Sequence, residues 1–217
     1  MPDLSPTIDA RMLKLGTTWS NTVGDGVTAT SVNTSGGSFS SGINAIDLSA
    51  FNATQVERYF VEFNTSGVTS TPTSATFKLY GTGNNSADVI CVQASFASNG
   101  AIVTDDWDSW NESSPVTYTD EISSWNNNGY NNFTLTAAGL SAMVSLNYFQ
   151  MVCLEADNDY DQSSAGSGLS IRSGYRTNDY SDASNRPVLS YSLPSSPPTF
   201  NIKSGEVIIK GGKLTIK

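Results

Sequence analysis

Histidine is absent from this 217-residue chain, and cysteine occurs only twice. The first absence removes Ser-His-Asp and Cys-His nucleophile systems and every His-ligated metal. The second removes Cys-rich zinc sites. Carboxylate chemistry, or a lysine or tyrosine acting with little help, is what remains for catalysis. Charge is sparse as well, at 14% of residues, and 11 basic against 20 acidic side chains leave a net charge of −9. That balance opposes attraction to nucleic-acid phosphates or anionic lipid, so no nucleic acid and no membrane is expected as partner. No apolar run approaches membrane-spanning length. The opening MPDLSPTIDARMLKL lacks a basic segment followed by an apolar stretch and a cleavage site, so export by a standard signal is not expected.

What the chain has in plenty is Ser, Thr, Asn and Gly, a balance that suits strands with hydroxyl-rich outer faces better than exposed helices. The length fits one large all-β domain. Cys91 in DVICVQAS and Cys153 in FQMVCLEA sit in apolar, strand-like stretches, where cysteine behaves as a small buried hydrophobe. Two free buried thiols are expected rather than a disulfide, because two cysteines do not define an oxidised framework.

Residues 1–16 read as an N-terminal arm, with Pro2 and Pro6 ahead of the alternating piece Arg11–Leu15, able to pair with a neighbour as easily as with its own body. Residues 17–193 read as the body. Its best strand is RYFVEF, in which Tyr59, Val61 and Phe63 share one face and Arg58, Phe60 and Glu62 the other. ATFKLY alternates in the same way, whereas DVICVQAS is apolar on both faces and suggests a covered, central strand. Residues 105–132 form a long polar and aromatic stretch holding three of the four tryptophans. A loop of that length is either functional or packed on its own aromatics. TAAGLSAMV predicts a short helix capped by Thr136, with Leu140, Met143 and Val144 as its buried stripe. FQMVCLEA, GLSIRS and PVLSYSL complete the clear strands, and about eight to ten in all suit a sandwich or jelly roll.

Pro194, Pro197 and Pro198 make residues 194–198 a stiff, extended linker. Residues 199–217 then form a separate tail with four lysines against one glutamate, while the preceding 198 residues hold seven basic against nineteen acidic side chains. Two strand-like pieces, GEVIIK and KLTIK, meet at Gly211-Gly212, a hairpin signal. An isolated hairpin is marginal in water, so this one is expected to bind something. Lys203, Val207, Ile209, Lys210, Lys213, Leu214 and Ile216 are its candidate attachment and oligomerisation residues.

The runs RYFVEFNTS, SATFKLY, TDDWDSW, SSWNNNGYNNFTLTAAGLSAM and NRPVLSYSL, spread over about residues 17–193, resemble the DNRLRE, or disaggregatase-related, family of jelly-roll domains. The likeness is greatest to variants in virion proteins of tailed bacteriophages, and residues 129–140 carry its most specific part. The resemblance implies an antiparallel jelly-roll β-sandwich related to carbohydrate-binding folds and used as a surface or appendage module. It implies no catalysis.

Two further clusters are candidates. Asp157, Asp159 and Asp161 alternate in EADNDYDQ, and oxygen ligands so spaced can wrap calcium, although the full loop pattern with its glycine and its closing glutamate is missing. A solvated acidic loop is the competing reading, and no other cofactor is called for. Trp107, Trp110, Trp125 and Tyr130, with Tyr118 nearby, could stack on sugar rings or could fasten the long loop to the body. No pair among the 20 acids is singled out by spacing for glycoside hydrolysis, so the chain is not expected to be an enzyme.

The expectation is therefore an all-β antiparallel sandwich with one short helix and a C-terminal β-hairpin. Its function would be that of a non-enzymatic bacteriophage virion protein, a head decoration, head fibre or tail-associated appendage, made in the host cytoplasm. Capsid or tail proteins and further copies of itself would be its partners, a trimer suiting an appendage. The alternative is a carbohydrate-binding module contacting host or mucosal glycans.

Overall fold

The computed structural model describes residues 2–23, 26–48, 53–85, 87–163, 169–195, 199–203 and 206–211. Strands β1 (Asp3–Leu4) and β2 (Ile8–Gly16) come first, followed by a single helical turn, α1 (Ser20–Val23). Then come β3 (Ser31–Asn33), β4 (Ser38–Leu48), β5 (Ala53–Asn64), β6 (Ser74–Asn85) and β7 (Val89–Gln93). After a long connection the chain forms β8 (Tyr130–Thr134), helix α2 (Ala137–Ser145), β9 (Tyr148–Glu155), β10 (Leu169–Arg176) and β11 (Val188–Ser192). Finally β12 (Thr199–Lys203) and β13 (Glu206–Lys210) stand apart. The first eleven strands share one ladder network, and the last two form a two-stranded sheet of their own. All ladders are antiparallel, and the fold is all-β and sandwich-like.

One layer consists of β1, β11, the first half of β6, and β8. The broader layer is centred on β5, which pairs with β2 along one edge and with β4 and then β9 along the other. β6 passes from one layer to the other, since its second half pairs with β10. Between the layers lies a continuous core holding Tyr59, Val61, Phe63, Phe77, Phe133 and Met151, all at 0% exposure. Each such side chain contributes roughly 1.5–3 kcal/mol by leaving water.

The period-two reading of RYFVEF holds: Tyr59, Val61 and Phe63 face this core, and Phe60 faces a second one. That second core, with Met12, Val56, Val92, Leu154 and Trp107, lies on the other side of the broad layer, under the chain that follows β7. It explains why DVICVQAS is apolar on both faces. Residues 105–132 are fastened down on the body, through isolated bridges Val92↔Thr117, Val89↔Ile122 and Thr119↔Leu135.

Helix α2 forms as expected. The Thr136 hydroxyl accepts from the Gly139 N–H, Met143 is fully buried, and Leu140 and Val144 pack partly buried against the core.

Both ends of the chain find strand partners that the sequence pattern leaves open. Of the two pairings open to the N-terminal arm, the structure shows the one with its own body: β2 pairs over its whole length with β5, and Ala10 and Met12 are buried. The prolines oppose structure only where it breaks: Pro2 precedes β1 and Pro6 lies between β1 and β2. In the tail, the strand at Glu206–Lys210 pairs with Thr199–Lys203, so the segment TFNIK, given no role by the sequence pattern, supplies a partner. Residues 212–217 lie outside the described residues.

Candidate functional site

The acidic loop is built around one buried ion pair. Glu155 ends β9, and its carboxylate accepts from the backbone N–H groups of Asp157, Asn158 and Asp159. This winds residues Ala156–Tyr160 into one wide helical turn and aims Asp159 inward. There Asp159 receives the Arg58 guanidinium in two hydrogen bonds, Nε to Oδ2 at 2.9 Å and the terminal nitrogen to Oδ1 at 2.7 Å. Arg58 also donates to the Trp107 carbonyl at 2.9 Å and lies 4.0 Å over the Trp107 ring and 5.4 Å from that of Trp110. Both charges are fully buried, and a second buried carboxylate, Glu112, stands 3.8 Å from the same guanidinium. A calcium loop would need the three aspartates to converge, but Asp159 is spent on Arg58 while Asp157 and Asp161 are exposed. Among the described residues, no three Asp, Glu or Cys side chains are placed to hold a metal ion.

The tryptophans are packing residues. Trp107, Trp110 and Trp125 are 0%, 3% and 6% exposed, and Tyr118 is 1% exposed and stacks on Phe149. A sugar needs an open aromatic face, which these four do not offer. Tyr130 is half-buried, its hydroxyl donating to the Ser184 and Arg186 carbonyls and its ring edge-on to Tyr80. The four residues named as glycan contacts thus do not form a platform.

The open surface lies elsewhere. Two adjoining depressions, of about 220 and 430 Å³, share the rim Gln93–Ala94–Ser95 just beyond β7. Asn111 and Ser114 of the long connection line the first. Asn99, Asn147, Tyr148 and Gln150 line the second. Gln150 is pinned as the floor: its carbonyl oxygen accepts from the Phe96 N–H at 2.8 Å and its amide donates to Glu62 at 2.7 Å. No residue lining either depression carries a charge. Amides and hydroxyls there offer both donors and acceptors, which is what a neutral, hydroxyl-rich ligand requires. Sequence reasoning missed this strip, since Asn, Ser and Gln are scattered through the chain and no spacing marks these.

A third polar cluster ties the first residues to the body. The Tyr59 hydroxyl and the Asn178 N–H both donate to Asp9, at 2.7 and 2.8 Å. Burial is the main cause that pushes the Asp9 carboxyl up to about 6. The cluster ties β2 and β5 to the turn that follows β10.

Of the tail residues, Lys203, Val207, Ile209 and Lys210 belong to the β12–β13 pair, opposite Glu206, Ile202, Phe200 and Thr199 respectively. Lys213, Leu214 and Ile216 lie outside the described residues. No family model matches the chain, and no curated protein matches it.

Proposed function

We propose that this chain is a non-enzymatic structural protein of a bacteriophage particle, a head decoration, head fibre or tail-associated appendage, held in place by its C-terminal strands. The observation that carries the proposal is the separateness of that end. Among the described residues, β12 and β13 pair only with each other, beyond a prolyl linker and outside the ladder network of the body. A two-stranded ribbon is marginal alone, and an outer edge that no other described strand covers can extend another sheet. In an assembly it would add its strands to a neighbour or to further copies, gaining backbone hydrogen bonds, while its lysines meet acidic surface. The virion setting rests on the resemblance of residues 17–193 to DNRLRE domains of tailed phages. The buried fate of Arg58, Asp159 and the tryptophans leaves the most distinctive polar and aromatic groups employed in packing.

The test removes residues 199–217. The expected product keeps the unfolding temperature of the body but sediments as a smaller species and is missing from purified particles. A truncated chain that still oligomerises and is still incorporated overturns the tail assignment.

One observation favours a second reading, a glycan-binding module. In a body so acidic, the two depressions beside Gln93 and Tyr148 are lined only by uncharged residues. Binding to neutral oligosaccharides on an array, lost in Tyr148→Ala and Gln93→Ala with the fold intact, supports this reading. An array with no signal removes it.

A further inference from the structure

The chain's two cysteines stand opposite each other on neighbouring strands, in the rung Cys91↔Cys153 of the β7–β9 ladder. Their position within that ladder is the informative point. The Cys91 N–H donates to the Thr119 hydroxyl at 3.1 Å, and the Cys91 carbonyl accepts from the N–H groups of Tyr118 and Thr119 at 2.9 and 3.2 Å. The N–H and C=O of one strand residue point to the same side, so both backbone groups of Cys91 are turned away from β9. Cys91 and Cys153 are therefore a non-hydrogen-bonded pair, the type in which Cα atoms lie about 4.5 Å apart and side chains come closest. That separation falls within the range of about 4.4–6.8 Å that a disulfide spans. The two Sγ atoms are already 2.8 Å apart, inside the roughly 3.5–4.0 Å contact distance even of smaller carbon atoms. Both thiols are 0% exposed in the core between the layers.

We propose that Cys91 and Cys153 are a disulfide-forming pair, closing into an intramolecular cross-link between β7 and β9 when the chain folds in the presence of a small-molecule disulfide oxidant. One cysteine thiolate attacks a sulfur of the oxidant, making a mixed disulfide and expelling one small thiolate. The second cysteine thiolate attacks the protein-bound sulfur, forming the Sγ–Sγ bond and expelling the other. Two protein thiols are oxidised, one small disulfide is reduced to two thiols, and the two protons pass to the products. The attack takes place in the open chain, because the folded core admits no oxidant and burial raises the Cys153 thiol well above its usual range, keeping it protonated. Pairing of β7 with β9, before the core closes over them, brings the two sulfurs together in the native register for the second attack. The chain has two covalent states of one fold, reduced where thiols are maintained and cross-linked where they are not.

The full chain is unfolded in denaturant and refolded with a mixture of oxidised and reduced glutathione. Accessible thiols are then counted in denaturant, alongside intact mass and a non-reducing gel. The expected result is a drop from two titratable thiols to none, a mass lower by two hydrogen atoms, monomeric migration, and an unfolding temperature several degrees above that of the reduced chain. The folded, reduced chain under the same oxidant is expected to lose its thiols much more slowly, at the pace of its opening. Two thiols remaining after refolding, a glutathione adduct, or disulfide-linked dimers would each overturn the proposal. Because the natural sequence carries the test, no variant has to fold.

Discussion

Arg58 and Asp159, 101 positions apart in sequence, meet in two parallel hydrogen bonds inside the second core with neither side chain exposed. A buried pair of this kind adds little over a well-packed apolar pair, but removing Asp159 takes two short charge-assisted hydrogen bonds from Arg58 and leaves it only the longer ionic contact with Glu112, at 3.8 Å. Asp159→Asn is expected to cost about 1.5–3 kcal/mol in denaturant unfolding. Combining it with Arg58→Met is expected to cost less than the two single changes added together. Strict additivity in that cycle would refute the coupling.

Acid should stabilise this protein through Asp9. Its carboxyl titrates at about 6 in the fold against 3.8 for an ordinary aspartate, chiefly because it is buried. The folded state thus holds this proton more tightly than the unfolded one. The resulting stability is complete below the unfolded value, wears away as pH rises, and is gone above about 6. The full span corresponds to about 3 kcal/mol at most. Asp9→Asn keeps an acceptor for Tyr59 and Asn178, and is expected to be more stable than the natural chain at neutral pH. The difference between the two should shrink steadily as unfolding is measured at lower pH.

Gly81 makes room for a turn. A Cβ there would overlap the Asn126 carbonyl oxygen and come 2.7 Å from the Trp125 ring nitrogen, which donates to the Gly174 carbonyl at 3.2 Å. Gly81→Ala is expected to cost about 1–3 kcal/mol by overpacking. It should also change the near-ultraviolet circular dichroism that Trp125 contributes. An unchanged spectrum with unchanged stability would mean that the turn yields freely.

Thr136 holds two chain segments at once, accepting from Gly139 at 3.3 Å and donating to the Thr117 carbonyl at 2.8 Å. Thr136→Ser keeps the hydroxyl and is expected to be close to neutral, while Thr136→Ala should cost about 1–2 kcal/mol. Equal losses in both variants, measured by thermal unfolding, would assign the effect to the methyl group.

Local pattern made much of this architecture readable. Alternation in RYFVEF gave the strand and its two faces, and the Thr136 cap with the spacing of Leu140, Met143 and Val144 gave α2. What depends on contacts distant in sequence was not readable. The aspartates of EADNDYDQ look like a solvated or metal-binding loop until Arg58, on a strand far upstream, claims Asp159. Trp107 and Trp110 look like a polar loop's display residues until the second core closes over them. The uncharged strip beside Gln93 gathers residues from three separate stretches, so only folding defines it.

In β1, Asp3 and Leu4 pair with Ser190 and Leu189 of β11, and the Tyr191 N–H donates to the Pro2 carbonyl at 3.1 Å. On the ribosome, this seam cannot be sewn until nearly the whole body has emerged. A nascent chain must carry β6 with one edge bare from its own emergence until β11 follows about 100 residues later. Rungs so remote in sequence slow the search for the native topology. Yield on expression should therefore respond more to elongation speed and chaperone supply than the stability of the finished molecule would suggest.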